Sequence, residues 1–272
     1  MERLEAALEK AREQRKTTKP AESAVVLTNP IEREATDPWK LLREIKLSSR
    51  VARNNRITTL TNNALSGSYD MLRSRTIRIM KENSWNRLAI TSPNVACGKT
   101  TVTTNLAISM ARQSDLRILV FDMDMRRPSL NKLFAHKDRQ SLHEVLDGRV
   151  EPREQLLRFG DNLAFAFNYQ PAQKPAELLQ SNRVVARLSE IEKEFQPDLM
   201  IFDMPPMLGN DDNVGFLKNV DCALLVGAAG ETSVPQLDTC EKELAELTNV
   251  LGVVLNKCRY MDAGIGYEYD YY

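Results

Sequence analysis

The chain has few of the residues that stabilise small secreted proteins or anchor proteins in a membrane. Only four cysteines occur in 272 residues, and no two of them form a Cys-x-x-Cys pair. With no secretory signal at the N-terminus, this argues against a disulfide framework and favours reduced cytosolic thiols. No apolar run approaches the roughly 20 residues that span a bilayer. We therefore expect a soluble, cytoplasmic chain whose association with any membrane comes through a partner.

The net charge and the aromatic content of the chain are also low. The 37 basic residues are balanced by 37 acidic ones, so no net field favours nucleic acid as a partner. Aromatic residues make up 6% of the chain, yet five of its seven tyrosines lie between residues 260 and 272. This uneven distribution marks the C-terminal end as a segment with its own role, or as a sticky aromatic end.

Beyond residue 60, apolar strand signals alternate with amphipathic helix signals. The runs predict strands at 87–91, 117–122, 163–167, 199–203, 222–227 and 251–255, and helices at 69–81, 99–113, 141–147, 183–195 and 234–248. Several strand runs are almost continuously apolar, which is typical of strands covered on both faces. The alternation predicts a doubly wound α/β fold, in which helices flank a mostly parallel sheet.

The two ends differ from this middle part. Residues 1–60 predict a helical and linker extension, which would be either a mobile arm or a docking segment for a partner. Within it, Asp37-Pro38 has the form of a helix start. Residues 61–256 make up the predicted α/β domain. Residues 257–272 are predicted to be a flexible tyrosine-rich tail.

A phosphate-binding loop follows the first predicted strand of the domain. Backbone N–H groups in a loop that opens a helix bind phosphate oxygens, and Gly98-Lys99-Thr100-Thr101 follows such a strand. Lys99 would reach the β- and γ-phosphates of ATP, and the Thr100 hydroxyl would ligate Mg²⁺. The predicted nucleotide-binding residues of the loop are Asn94, Val95, Ala96, Cys97, Gly98, Lys99, Thr100 and Thr101.

Two loop positions depart from the commonest pattern of such loops. Pro93 stands five residues before Gly98, where glycine is expected, and Ala96 stands where glycine would be easiest. A β-carbon at Ala96 resists positive φ. We therefore expect the nucleotide affinity to be reduced.

Carboxylates follow two of the buried strands. Asp122 and Asp124 lie on either side of Met123, and Asp203 ends the strand before Pro205-Pro206. Because the carboxyl ends of parallel strands face the ligand crevice, all three can face the phosphates. Asp122 is favoured as the base that accepts a hydroxyl proton, and Asp124 and Asp203 as magnesium ligands with Thr100. The residues leave open which aspartate does which, and either one alone could simply cap a turn.

Two further side chains complete the predicted site. Arg126 would neutralise charge on the nucleotide or pair with an acid of a neighbouring subunit. Asn256 ends the last strand, where its amide would read the adenine edge or cap the strand end. The predicted catalytic residues are Lys99, Asp122, Asp124 and Arg126.

These motifs together resemble the bacterial tyrosine kinases of polysaccharide co-polymerase systems, a cytoplasmic autokinase family among the MinD/ParA-like P-loop NTPases. The matching segments are 92–101, 118–126, 171–181, 199–206 and 260–272. The resemblance implies a kinase domain at 61–256 whose phosphoacceptors are Tyr260, Tyr267, Tyr269, Tyr271 and Tyr272. It also implies a role in exopolysaccharide or capsule synthesis and export. The implied partners are a membrane-spanning chain-length regulator, other copies of the chain as a homo-oligomer or ring, and a tyrosine phosphatase.

One family motif is largely missing. The family has a Glu-x-x-Arg-x-x-Arg helix that assembles rings. Aligned on Tyr69 and Leu72, it places Gly67 at the glutamate and Asp70 at the first arginine. Only Arg73 matches, so we expect ring assembly through this helix to be weakened.

Two other functions remain open at this stage. A MinD- or partition-type ATPase switch would share the fold, but it carries a signature lysine where this chain has Asn94. A degenerate nucleotide-binding regulator without kinase activity would fit Ala96 and the altered helix. Phosphotyrosine in the tail after incubation with Mg·ATP would separate the kinase from both.

Overall fold

The computed structural model describes residues 37–61, 66–209 and 211–258. Its strands are β1 (Arg43–Glu44), β2 (Arg87–Thr91), β3 (Ile118–Asp122), β4 (Leu156–Phe159), β5 (Leu163–Ala166), β6 (Leu199–Asp203), β7 (Cys222–Ala228) and β8 (Asn249–Asn256). Its α-helices are α1 (Ser49–Asn54), α2 (Gly67–Glu82), α3 (Lys99–Ala111), α4 (Leu130–Leu133), α5 (Leu142–Leu146), α6 (Pro152–Gln155), α7 (Pro175–Leu179), α8 (Asn182–Phe195), α9 (Asp212–Phe216) and α10 (Val234–Leu247). Two 3₁₀ helices cover Pro38–Leu41 and Leu217–Asn219.

The strands form one sheet in the order β1-β4-β5-β3-β6-β2-β7-β8. Neighbouring strands run parallel except at β4–β5, where the pairing is antiparallel. The prediction of a mostly parallel sheet flanked by helices is therefore confirmed. The six predicted strands are all present, whereas β1 and β4 were not predicted.

Alternate residues of the central strands pack into two separate apolar layers. In β3, Leu119 and Phe121 face one layer, while Ile118 and Val120 face the other. Helices α8 and α10 cover the first layer, and α2 and α3 cover the second. Each fully buried side chain of this size contributes roughly 1.5–3 kcal/mol. Burial on both faces explains the continuous apolar runs of the sequence.

Residues 38–57 add to both apolar layers. Trp39 is only 1% exposed, and its Nε1 donates a hydrogen bond of 2.7 Å to the Phe195 carbonyl at the end of α8. Leu42 joins the same layer, and Ile45 and Ile57 join the opposite one. A compact unit therefore begins at Pro38, and the predicted domain boundary at residue 60 falls inside it.

The predicted helix start at Asp37-Pro38 is realised only as the 3₁₀ turn Pro38–Leu41, which leads into β1. The reason is that β1 pairs with β4, a partner more than 100 residues away that local pattern does not reveal. The tail tyrosines and residues 1–36 lie outside the described residues.

A charge cluster joins α2 to α3. The Asp70 carboxylate lies 3.1 Å from the Arg73 guanidinium, pairs with Arg112 and accepts a 2.8 Å hydrogen bond from the Ser109 hydroxyl. We call these four residues the Asp70 cluster. Arg73, the one residue that matches the ring-forming motif, is thus bound within its own chain. None of the helices in the described part of the chain combines the length and the apolar character needed to cross a bilayer.

Candidate active site

The phosphate loop connects β2 to the N-terminus of α3. Gly98 adopts a left-handed conformation at φ 91°, directly before the helix begins at Lys99. Ala96 is also left-handed, at φ 63°, although a β-carbon makes this conformation unfavourable by about 1 kcal/mol. Ala96 thus adopts the positive φ that its β-carbon disfavours. The loop is therefore strained at this residue.

Asn256, at the end of β8, reaches across to this loop. Its Nδ2 donates a 2.9 Å hydrogen bond to the Cys97 carbonyl, and a β-carbon added at Gly98 would overlap the Asn256 amide. The Cys97 sulfur lies 3.6 Å from the Thr232 hydroxyl. In this structure the amide of Asn256 therefore holds the loop backbone, while its predicted contact with adenine stays a prediction.

The Lys99 ammonium lies among the predicted carboxylates. Its Nζ is 2.9 Å from Asp124 Oδ2 and 3.8 Å from Asp203 Oδ1. Burial by itself lowers the pKa of Lys99, but the charges of Asp203 and Asp124 outweigh it and raise the pKa above its ordinary value. Lys99 is therefore a fixed cation at the carboxyl ends of β3 and β6.

Asp122 and Asp203 face each other as register partners on β3 and β6, and both are fully buried. Asp122 Oδ2 accepts hydrogen bonds of 3.2 Å from the backbone N–H groups of Ser129 and Leu130, and Thr103 lies 3.4 Å from Asp203 Oδ1. Asp122 Oδ1 and Asp203 Oδ2 have no hydrogen-bond partner among the described residues. We call Lys99, Asp122, Asp124 and Asp203 the charge centre.

Burial raises the pKa of both carboxyls in the register pair. For Asp122, desolvation is followed by repulsion from Asp203, and together they raise its pKa well above the ordinary value despite the charge of Lys99. For Asp203, desolvation likewise outweighs the charge of Lys99. Perturbed carboxyls beside an ordered lysine are typical of functional sites.

The charge centre fits a magnesium ion that arrives with a nucleotide. No group of three or more histidine, cysteine or acidic side chains within residues 37–61, 66–209 and 211–258 could hold a metal by itself. Nucleotide-bound Mg²⁺ needs only one or two protein ligands, because phosphates and waters supply the rest. The open carboxylate oxygens and the Thr100 hydroxyl, which lies 2.9 Å from that of Ser129, provide such ligands.

Arg126 has an acidic partner within its own chain. Its Nε and Nη2 form a two-point ion pair with the buried Asp212 of α9, at 2.6 and 2.9 Å. These hydrogen bonds, followed by the charges of nearby carboxylates, raise the pKa of Arg126. Its side chain is 45% exposed. The structure thus keeps Arg126 beside the site but engages it with α9 rather than with the charge centre.

Three residues that contact predicted site residues were not predicted from the sequence. Thr103 lies one helical turn after Lys99, so its i+4 spacing was a usable signal. Ser129 and Asp212 carry no such signal, because loop geometry brings each of them to the site. The predicted residues Asn94, Val95 and Thr101 lie in the loop or the first turn of α3, and Val95 is half exposed.

The fold and this site define a P-loop nucleotide-binding protein. A family model described as the CobQ/CobB/MinD/ParA nucleotide binding domain matches residues 88–265. Among curated proteins, the tyrosine-protein kinase CpsD of Streptococcus pneumoniae is 30% identical over 173 residues, which cover 62% of this chain and 75% of CpsD. The chain belongs to this family of nucleotide-binding domains, and specifically to the bacterial tyrosine-protein kinases within it.

Other relatives agree. The tyrosine-protein kinase etk of Escherichia coli K12 is 31% identical over 179 residues, covering 65% of this chain and 24% of that protein. The solved kinase domain of Escherichia coli ETK superposes with a TM-score of 0.68 at 27% identity, over 83% of this chain and 87% of that one. The chain spans about a quarter of the length of the first curated relatives that it matches.

Proposed function

We propose that the chain is an ATP-dependent protein-tyrosine autokinase. It transfers the γ-phosphate of ATP to the tail tyrosines of a neighbouring copy. The observation that carries this proposal is the charge centre, in which one buried lysine stands among three carboxylates beside a phosphate loop. Membership of the tyrosine-protein kinases supports the choice of tyrosine as acceptor.

Each residue of the charge centre has a distinct role in this proposal. Lys99 exchanges part of its contact with Asp124 for the β- and γ-phosphates. Asp122 is the base, since burial and the charge of Asp203 raise its pKa and make its carboxylate a stronger proton acceptor. Thr100, Asp124 and Asp203 would hold Mg²⁺, which would supply positive charge to offset that of the triphosphate.

The transfer balances in atoms and charge. The phenol oxygen of the acceptor tyrosine forms a bond to the γ-phosphorus. The bond from that phosphorus to the oxygen bridging to the β-phosphate breaks, and ADP leaves. The phenol proton passes to the Asp122 carboxylate. In this proposal Arg126 would turn from its ion pair with Asp212 to offset charge that develops on the transferred group.

The proposed setting is exopolysaccharide or capsule synthesis and export. A membrane-spanning chain-length regulator recruits the kinase to the inner membrane, and a tyrosine phosphatase resets the tail. The physical basis of the cycle is charge. Each phosphotyrosine adds roughly −1.5 to −2 to a tail that already contains three acidic residues, so phosphorylated tails repel one another and the carboxylates of the site.

Mass spectrometry of the tail tests this proposal. Purified full-length chain incubated with Mg·ATP should gain phosphate on tail tyrosines. Lys99→Met should abolish the gain, whereas Lys193→Met, the same change at an exposed lysine of α8, should not. ADP release without phosphotyrosine would instead show an ATPase switch, and equal labelling of the Lys99→Met variant would show a contaminating kinase. Either result rejects the proposal.

A further inference from the structure

Asn168, two residues after β5, is a fully buried polar residue that belongs neither to the phosphate loop nor to the charge centre. Its side-chain Nδ2 donates a hydrogen bond of 2.8 Å to the main-chain carbonyl of Asp122. The backbone pairing between β3 and β5 ends at Phe121 and Ala166, so the amide supplies a donor to β3 directly after that pairing stops. Asn168 therefore holds the main chain of the proposed base.

The orientation of the Asn168 amide is determined by partners on both sides. The Asp122 carbonyl can only accept a hydrogen bond, so it requires the nitrogen of the amide. The backbone N–H of His143 can only donate, and it lies 3.0 Å from Asn168 Oδ1. The His143 Nδ1 lies 3.1 Å from the same oxygen, so a proton on Nδ1 makes it a second donor. The amide thus links α5 to the end of β3 in a single orientation.

The Asp122 carboxylate depends on this main-chain support, because the hydrogen bonds of its own side chain are weak. Its Oδ2 accepts two long bonds, both of 3.2 Å, from the N–H groups of Ser129 and Leu130. Its Oδ1 has no hydrogen-bond partner within the part of the chain that the structure describes. A shift of the Asp122 main chain would therefore move the carboxylate with it. Misplacement of a reacting group by about 1 Å can lower a rate by about 10²-fold.

Asp124, the neighbouring carboxylate, is held by different contacts. Its Oδ2 lies 2.9 Å from Lys99 Nζ, and its Oδ1 accepts a 3.1 Å hydrogen bond from the Arg127 N–H. These contacts do not involve Asn168. Loss of the Asn168 amide would therefore displace Asp122 more than Asp124, and it would leave the phosphate loop in place.

We propose that Asn168 is a positioning residue for phosphotransfer, an inference that rests on the proposed kinase function. Asn168 acts through the main chain of Asp122, which it holds where the carboxylate can take the proton of the acceptor. His143 supports this role by fixing the orientation of the Asn168 amide. Removal of the amide should therefore slow the transfer step and leave ATP binding by the phosphate loop unchanged.

Steady-state kinetics with a matched control tests the inference. Asn168→Ala should lower kcat about tenfold, because Asp122 is no longer aligned with the acceptor, and calorimetry should show an unchanged affinity for ATP. In Asn162→Ala, the control, an amide that donates to three main-chain carbonyls is removed at the opposite end of β5. Its kcat per folded molecule should be unchanged. An unchanged kcat of Asn168→Ala, or an equal loss in both variants, would overturn the inference.

A double-mutant cycle shows whether Asn168 acts through Asp122. In the Asp122→Asn background, Asn168→Ala should lower the remaining kcat by less than about twofold, because the group that it positions is already absent. A tenfold loss in both backgrounds would show that Asn168 supports the fold independently of the base, and the positioning role would then be rejected.

Hydrogen exchange tests the positioning without catalysis. In the nucleotide-free chain, Asn168→Ala should speed exchange at the Ser129 and Leu130 amides, whose acceptor is Asp122 Oδ2. Asn162→Ala should not, and mass spectrometry of overlapping peptides measures both variants. Unchanged exchange in Asn168→Ala would overturn the inference and leave the kinase proposal intact. If the unaltered chain transfers no phosphate, the kinase proposal fails, and exchange at these two amides decides alone whether Asn168 positions Asp122.

Discussion

Two charged clusters of this protein differ in the sign of the charge that is in excess. Carboxylates outnumber cations in the charge centre, and cations outnumber carboxylates in the Asp70 cluster. In the charge centre, three carboxylates share one ammonium, and two carboxylate oxygens have no hydrogen-bond partner among the described residues. In the Asp70 cluster, one carboxylate lies between two guanidiniums that are 20–28% exposed. Of these two groupings, the one with unmatched buried charge is the one where a nucleotide and its metal could balance that charge.

The largest effect is expected from a substitution in the charge centre itself. Asp122→Asn keeps an acceptor for the Ser129 and Leu130 N–H groups but cannot take a proton. We expect phosphotransfer to fall by about 10²-fold or more. The same variant without nucleotide should be more stable by about 1 kcal/mol, because a buried like charge is removed. Activity assays and chemical denaturation measure the two effects, and a variant that loses both activity and stability would contradict this account.

The sign of the pH dependence follows from the raised pKa of Asp122. Since its folded pKa lies above the unfolded value, this group contributes stability that is present below about pH 4 and is lost as the pH rises through the folded pKa. The stability advantage of Asp122→Asn should therefore be present at neutral pH and vanish near pH 4. Denaturation series of the unaltered chain and of Asp122→Asn across this range measure the effect, and an advantage that grows toward pH 4 would contradict it.

The second largest effect is expected from a substitution in the Asp70 cluster. Asp70→Ala leaves Arg73 and Arg112 facing each other without their shared carboxylate, so the free energy of unfolding should fall by about 2 kcal/mol. Phosphotransfer per folded molecule should be unchanged in a dilute assay. Asp161→Ala, at a fully exposed aspartate with one long ion pair, is the matched control and should change stability little. Loss of activity without loss of stability would show that the Asp70 cluster has a functional role.

The smallest effect concerns backbone strain beside the charge centre. Ala96→Gly should tighten ATP binding several-fold, less than about 1 kcal/mol, by relieving the left-handed alanine. Ala135 has φ 51° and lies outside the site, so Ala135→Gly relieves similar strain and should leave ATP affinity unchanged. Calorimetric titration of both variants would show whether the strain acts on the nucleotide or only on folding.

Much of the framework could be predicted from the sequence, because the central strands have continuous apolar runs. The rule that parallel strands end at one edge was sufficient to bring Asp122, Asp124 and Asp203 together. The antiparallel β4 was missed although its partner β5 follows after only three residues. The two-residue β1 was missed because its partner β4 lies more than 100 residues away. The ion pair between Arg126 and Asp212 was missed for the same reason: α9 reaches Arg126 only through the turn after Pro205-Pro206.

The register between β3 and β6 has a further consequence for how this protein can change. Asp122 and Asp203 occupy matched positions on strands about 4.8 Å apart, so hydrogen bonds of the backbone set their spacing. Inserting or deleting a single residue in either strand would turn one carboxylate through the sheet into an apolar layer. These two aspartates can therefore be substituted one at a time during evolution, but a shift of the register between β3 and β6 would separate them.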